Sequence, residues 1–345
     1  MSNKLRIEIN LNQVLDNIKY IQEVSNKNLI PVIKSGAYNL GVKELMKLID
    51  NLNIEYAAVV DTREALELLN DNENYRILIL NSLESKDYIH LNNYPNLAIS
   101  INSLEDYNNL CNIKTNRKIK VHIQVDTGMN RLGFKNIDEY KFLINNLIKN
   151  DNVIIEGLYT HFSSLNNALN QIDVFKKYSD IYDFKMIHLA SSSTYQNIDV
   201  GNYVRVGLDV YGSTKEMQSI KVVSSPISIN KVKKGESIGY DEKYIATKDI
   251  KVAVLPIGYA NGFRRSLTGF KLKSKNKLYS VIGKVCMNHI FVEVDDDISI
   301  DSEFIITSND YPIEIMASFL DTVPHEILCM LNISNRIYIG DKHDL

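Results

Sequence analysis

Lys34 closes the apolar run Leu29-Ile30-Pro31-Val32-Ile33. A desolvated amine in such a place can act as a Schiff-base nucleophile, whereas a solvated lysine at a strand end is the plainer reading. Four further polar sets follow apolar runs: VDTGMNRLGF from Val125, GLYTHFSS from Gly157, HLASSS from His188 and YVRVGLDVYG from Tyr203. The glycine-rich GLDVYG and the serines of ASSS suit a phosphate, which loop amides and short hydroxyls can hold without a cation. Together with the lysine they point to a phosphorylated ligand.

These sets need a scaffold that brings strand ends together. Short β-branched runs near 29–34, 55–60, 76–80, 97–101, 118–125, 153–161, 184–190 and 203–206 alternate with helical-period stretches such as GVKELMKLIDNLN, TREALELLNDN, IDEYKFLINNLIKN and NQIDVFKKYSDIY. Eight strand–helix repeats predict an α/β fold, an eight-stranded parallel (β/α)8 barrel whose reactive groups sit at the C-terminal strand ends. An open doubly wound sheet is the alternative. After Gly212 the runs SIKVVSSPISINKV, DIKVAVLPIGY, KLYSVIGKVCM, HIFVEVDDD and EFIITS predict a mostly β domain ending in one helix over PIEIMASFLDTV. The expected division is a barrel over 8–215 and a β domain over 216–345, with residues 1–7 packing on the latter.

Bulk properties narrow the partners. A chain of 345 residues is long enough for about two domains. With 39 basic and 42 acidic residues the net charge is −3, so electrostatic attraction to nucleic acid or an acidic membrane surface is not expected. The 45% hydrophobic and 23% charged composition is that of a globular chain and excludes disorder and collagen. No run is long and apolar enough to span a membrane, and MSNKLRIEINLNQ lacks a signal-peptide core, so a cytoplasmic setting is expected. Cys111, Cys286 and Cys329 are too few and scattered for a disulfide framework or a metal knuckle; buried reduced thiols and no metal are the expectation. A small metabolite is the natural partner.

IKSGAYNLG, VDTGMNRLGF, LPIGYANGFRR and VIGKVCMN, in this order, resemble the signatures of the alanine racemase family. Tyr259 follows Tyr240 by 19 positions and Met287 follows Tyr259 by 28, which is also similar to the family. The resemblance covers nearly the whole chain. It implies a barrel followed by a β domain, pyridoxal 5'-phosphate (PLP) as cofactor, and an isomerase interconverting L- and D-alanine for cell-wall peptidoglycan. Lys34 would hold PLP and serve as one proton-transfer base. Tyr240 would be the other, supplied by the second subunit of a homodimer with composite active sites. Arg205 would donate to the pyridine nitrogen, and Arg131, His161 and Arg205 would supply the positive field that a basic Tyr240 requires. Tyr38, Ser192, the amides of Gly207 and Leu208, and His325 would hold the phosphate. Met287 would offer its backbone amide to the substrate carboxylate, and Tyr259 would narrow the entrance. Met287 read without the motif is plain core packing.

Several positions depart from the family pattern. His325, in VPHEILC, stands where a tyrosine usually helps hold the phosphate and crowds the substrate, so serine becomes a candidate substrate beside alanine. Gln124 replaces a lysine that in many members is carbamylated to orient Arg131, and a chloride-like anion could substitute there. Asn288, Ser191, Asn261 and the SGAYNLG loop are further departures. A serine or broad-specificity racemase and a non-catalytic PLP-binding regulatory barrel are therefore the alternatives. Retention of both Lys34 and Tyr240 argues against the second. A related barrel decarboxylase is disfavoured because Arg205 stands where those enzymes use a glutamate.

Overall fold

The computed structural model describes residues 4–52, 54–212 and 217–340. They divide into two compact units: one takes in the chain through Asn17, Tyr38–Leu40 and the stretch from Tyr211 onward, the other Ile18–Ala37 and Gly41–Val210. The first strand, β1 (Leu5–Asn10), belongs to the former and runs into the helix Leu11–Ser25.

The second unit is the expected barrel. Its strands are β2 (Asn28–Pro31), β3 (Ala57–Val59), β4 (Ile77–Ile79), β5 (Leu97–Ile101), β6 (Ile119–Gln124), β7 (Val153–Tyr159), β8 (Met186–His188) and β9 (Tyr203–Val206). All pair in parallel, in the order β2-β9-β8-β7-β6-β5-β4-β3. A parallel bridge between Val32 and Ala58, with the Ile33 amide donating to the Ala58 carbonyl at 2.9 Å, joins the two ends of this order. The open-sheet alternative is thereby excluded. Strands buried on both faces read as near-continuous apolar runs, as in AAV and ILI, and the polar residue of LAISI, buried Ser100, donates its hydroxyl to Ile79 O at 2.8 Å. Ile30, Tyr56, Ala58, Leu78, Ala98, Met186 and Tyr203 form one packed cluster of this unit. Helix starts after the strands are set by side-chain caps: Asp61 accepts from the Glu64 amide, Ser103 from Asp106 and Asn136 from Asp138.

The other unit is mostly β. Following β1 are β10 (Ile220–Ser224), β11 (Ser228–Val232), β12 (Ser237–Ile238), β13 (Tyr244–Ile245), β14 (Ile250–Leu255), β15 (Lys271–Ser274), β16 (Lys277–Ile282), β17 (Ile290–Val294), β18 (Phe304–Thr307) and β19 (Arg336–Ile339). The main sheet runs β11-β14-β17-β16-β15-β18-β10-β1-β19, and β12 pairs with β13 alone. β1 is antiparallel to β10, with Ile7 opposite Val222, and parallel to β19, with Ile7 opposite Arg336. The strands β12, β13, β15 and β19 go beyond the sequence expectation, as does a second helix, Pro324–Met330, after the expected one at Ile313–Phe319. They are short and half exposed, so their apolar periodicity is weak. Of the three cysteines only Cys286 is buried, whereas Cys111 and Cys329 are exposed, contrary to expectation. No helix among the described residues is long and apolar enough to cross a membrane.

Candidate active site

Lys34 lies just past β2, where the chain leaves the barrel wall. The next five residues adopt left-handed backbone conformation, with φ of 55° at Ser35, 63° at Gly36, 54° at Ala37, 57° at Tyr38 and 66° at Asn39. Only one is glycine, and a side-chain-bearing residue held there costs about 1–2 kcal/mol. Hydrogen bonds hold the turn: Ala37 N–H donates to Ile33 O and Gly41 N–H to Gly36 O, each at 2.9 Å. Ser35 N–H donates to the Glu64 carboxylate. In the β unit, Arg336 Nε donates to Asn39 O at 2.9 Å and the Tyr338 hydroxyl to Leu40 O at 2.8 Å. Strain of this kind collects where a side chain must be presented in one geometry.

Around the same barrel end stands a buried cation. Arg205, on β9, is 4% exposed, and among the described residues no carboxylate pairs with it. Its Nη1 donates to His188 Nδ1 at 2.7 Å and to the His188 carbonyl, and its Nη2 to Thr160 O at 2.6 Å. The guanidinium lies over the Tyr159 ring at 4.9 Å, and that ring stacks on His188 at 4.8 Å. Burial brings Arg205 down to about 10, with a further lowering from Arg131, so it remains a cation at neutral pH. Because arginine only donates, His188 Nδ1 must accept. His188 Nε2–H then donates to His122 Nδ1 at 2.8 Å, and His122 Nε2–H to Glu156 Oε2 at 3.3 Å. The Tyr56 hydroxyl donates to the same oxygen at 2.6 Å. Burial holds both histidines neutral. Gly157 makes the passage possible: a Cβ there would meet His122 Nδ1 at 2.2 Å.

His161 follows β7 with Nδ1 3.4 Å from Arg205 Nη2. Burial first, then the charges of Arg205, Arg131 and Lys34, push it down to about 3. It is therefore neutral at pH 7 and adds no positive field; of the three residues expected to supply that field, the two arginines remain. Arg131 is exposed in the loop after β6, where Asp126 Oδ1 accepts from Gly128 N–H at 2.9 Å and Asn130 N–H at 3.0 Å. Gln171 ties this loop to the next, donating to Thr127 Oγ1 at 2.9 Å and His161 O at 3.2 Å while accepting from Ser163 N–H at 2.8 Å. Gln124 is buried at the end of β6 opposite Tyr159.

The phosphate candidates fall in both units. Ser192 sits in a turn after β8, closed by Thr194 and Tyr195 amides donating to Ser191 O at 2.9 Å each. Gly207 and Leu208 follow the neighbouring strand β9 and open the short turn Leu208–Val210. Tyr38 is buried in the β unit, its ring 5.6 Å from Tyr211 and 6.4 Å from exposed His325. Tyr211 has a buried hydroxyl without a hydrogen-bond partner among the described residues.

Tyr240, Tyr259 and Met287 are 66%, 45% and 54% exposed, so Met287 is not core packing. Two motifs meet here through backbone: Tyr259 N–H donates to Cys286 O at 3.0 Å and Ala260 N–H to Met287 O at 2.9 Å. Gly258 allows this approach, since a Cβ would lie 2.3 Å from Cys286 O and 2.4 Å from Met287 O. Asn261 keeps a capping role, its Oδ1 accepting from Gly258 N–H at 3.2 Å. Tyr240 borders a cavity of about 480 Å³ with Gly239, Cys286, His289 and Phe291.

His188, His122, Glu156, Gln171 and Glu64 join the site beyond the residues expected from the sequence. A histidine interrupting KIKVHIQV and a glutamate inside VIIEGLY were legible signals, because a polar group inside a two-face-buried strand requires a partner. The donor set fits PLP: Lys34 for an aldehyde, turn amides and hydroxyls for a phosphate, and an uncompensated buried cation for a ring nitrogen.

Residues 9–215 match the family model described as alanine racemase, N-terminal domain, and residues 219–338 that of the alanine racemase C-terminal domain. The chain is similar to the alanine racemase of Macrococcus caseolyticus, with 30% identity over 97% of this chain and 95% of that protein. Its fold is similar to alanine racemase from Clostridium difficile 630, with TM-score 0.91, 28% identity and coverage of 98% and 96% of the two chains. Alanine racemase from E. faecalis gives TM-score 0.90 at 24% identity, covering 97% of this chain and 98% of that one, a likeness of fold.

Proposed function

The chain belongs to the alanine racemase family, and on that premise we propose that it is a PLP-dependent amino-acid racemase interconverting L- and D-alanine. In the two-base scheme, with a one-base scheme as its rival, proton donors and acceptors stand on opposite faces of Cα, and Lys34 and Tyr240 take these two roles. PLP, when bound, supplies the electron sink that acidifies the Cα proton.

The observation that carries this reading is Arg205, a buried cation whose partners are two carbonyls and neutral histidines rather than a carboxylate. Arg205 would donate to the ring nitrogen of PLP, and a permanent donor there would leave that nitrogen unprotonated, moderating the sink and favouring return of the proton over loss of the amino group. Tyr38, Ser192, His325 and the Gly207 and Leu208 amides hold the phosphate. Arg131 and the Met287 amide receive the substrate carboxylate, and Tyr259 narrows the entrance. The exposure of Tyr240, Tyr259 and Met287 supports a homodimer in which Tyr240 serves the active site of the partner subunit. Supply of D-alanine for peptidoglycan in the cytoplasm completes the proposal.

Chiral chromatography of the PLP-loaded protein incubated with L-alanine tests it. D-Alanine should accumulate toward equal amounts, and Lys34→Ala should abolish both turnover and the absorbance of the covalently held cofactor. No D-enantiomer from an intact PLP complex would refute the proposal. Serine is a second substrate reading, favoured by His325 beside Tyr38 in place of a bulkier phenol, and L-serine belongs in the same assay.

A further inference from the structure

We infer that Glu64 is a positioning residue that fixes Lys34 for its reaction by bridging the loops after β2 and β3; the inference rests on Lys34 being the cofactor lysine. Its two carboxylate oxygens do different work: Oε1 accepts from Ser35 N–H, the residue after Lys34, and Oε2 from Val60 N–H at 2.9 Å, the residue after β3. On the other side of Lys34, Ile33 N–H is tied to Ala58 O of β3 at 2.9 Å. Both neighbours of the lysine are thus referred to the same strand, one directly and one through Glu64.

The use of such a bridge follows from the left-handed run Ser35–Asn39, a costly backbone conformation that persists only where the surroundings hold it, and Ser35 supplies its first amide. A carboxylate suits the task because both oxygens accept, whereas an amide side chain of equal size offers one acceptor and turns N–H donors toward the other N–H. Glu64 also lies in the first turn of the helix Thr62–Asp71, where its own amide is capped by Asp61 Oδ1 at 3.0 Å. A helix-capping role for Glu64 would direct it to the Asp61 amide, whereas its oxygens take Val60 and Ser35 instead.

The test compares full-length wild type with Glu64→Gln, and with Glu64→Asp should the first variant fold poorly. Amide exchange of residues 33–40 should accelerate about tenfold or more, as loss of a hydrogen bond to a charged acceptor implies, while the strands of the barrel stay at wild-type rates. Covalent capture of added PLP on Lys34, read by borohydride reduction and peptide mass, should slow by a similar factor. Acceleration confined to residues 62–71, with wild-type exchange at 33–40 and wild-type capture, would overturn the inference and leave Glu64 a helix cap. Failure of wild type to carry PLP on Lys34 would instead refute the cofactor reading, and the exchange comparison would still decide whether Glu64 holds the turn.

Discussion

Replacing Glu156 by glutamine should remove a charge that the barrel interior has organised itself around. Burial alone would raise this carboxyl, but hydrogen bonds from His122 and Tyr56 bring it down to about 2 from an ordinary 4.5. Each pH unit of that difference corresponds to about 1.4 kcal/mol, so the ionised group contributes about 3 kcal/mol. A carboxyl lowered on folding stabilises above its unfolded value and loses that contribution as pH falls through the folded one. Glu156→Gln, which resembles the protonated acid, should therefore be about 3 kcal/mol less stable between pH 5 and 8, converging on wild type between pH 4.5 and 2. At about 2.1 cal/mol/K per residue, unfolding 345 residues carries an entropy near 0.7 kcal/mol/K, which converts the loss to a Tm drop of about 4 °C. Scanning calorimetry of both proteins across pH provides the measurement. Equal Tm at pH 7 with parallel acid limbs would show that Glu156 is not held ionised by His122 and Tyr56, and the tautomer order from Arg205 to Glu156 would fall with it.

Three further outcomes are expected. Tyr240→Phe should slow Cα proton exchange in deuterated water more strongly from the L- than from the D-enantiomer, since the two bases face opposite sides; equal small losses would remove the two-base scheme. His325→Tyr, which places a phenol beside Tyr38, should raise the kcat/KM ratio of alanine over serine, and an unchanged ratio would take His325 out of substrate choice. Gly258→Ala should cost about 3 kcal/mol because its Cβ meets Cys286 O at 2.3 Å, and it should weaken substrate binding by parting the Tyr259 and Met287 loops; an unchanged Tm and KM would refute the close approach.

The barrel was legible because its strands are short, apolar and regularly spaced, so the eight runs fall within a few residues of β2–β9. Lys34 was found as a polar group at a strand end, a position that follows from chain order; Arg131, His161, Ser192 and Arg205 lay in the polar sets at or after strands but were singled out only through the family resemblance. Glu156 and His122 escaped because they act through partners remote in sequence: His122 reaches His188, 66 residues on, and Tyr56 reaches Glu156, 100 residues on. Such pairings exist only after the barrel closes. The positive field assigned to His161 was misjudged for a related reason, since the sequence grouped it with Arg131 and Arg205 but did not show the burial that, with their charges, keeps it neutral. Likewise β19 consists of four residues of mixed exposure and gains its identity from β1, which lies more than three hundred residues earlier.

That last pairing bears on how the molecule is made. All eight barrel strands lie between Asn28 and Val206, so a chain emerging from the ribosome holds them all before β10–β19 are made. The sheet containing β1 has no such autonomy. Leu5 waits for Ser224 and Ile7 for Arg336, so β1 finds its two neighbours only after more than two hundred and three hundred further residues have been made. Contacts this distant form slowly, and until they do β1 has two unpaired edges able to recruit another chain. Nascent chains should thus be most prone to misassembly between completion of the barrel strands and synthesis of β10 and β19, while β1 is an orphan strand.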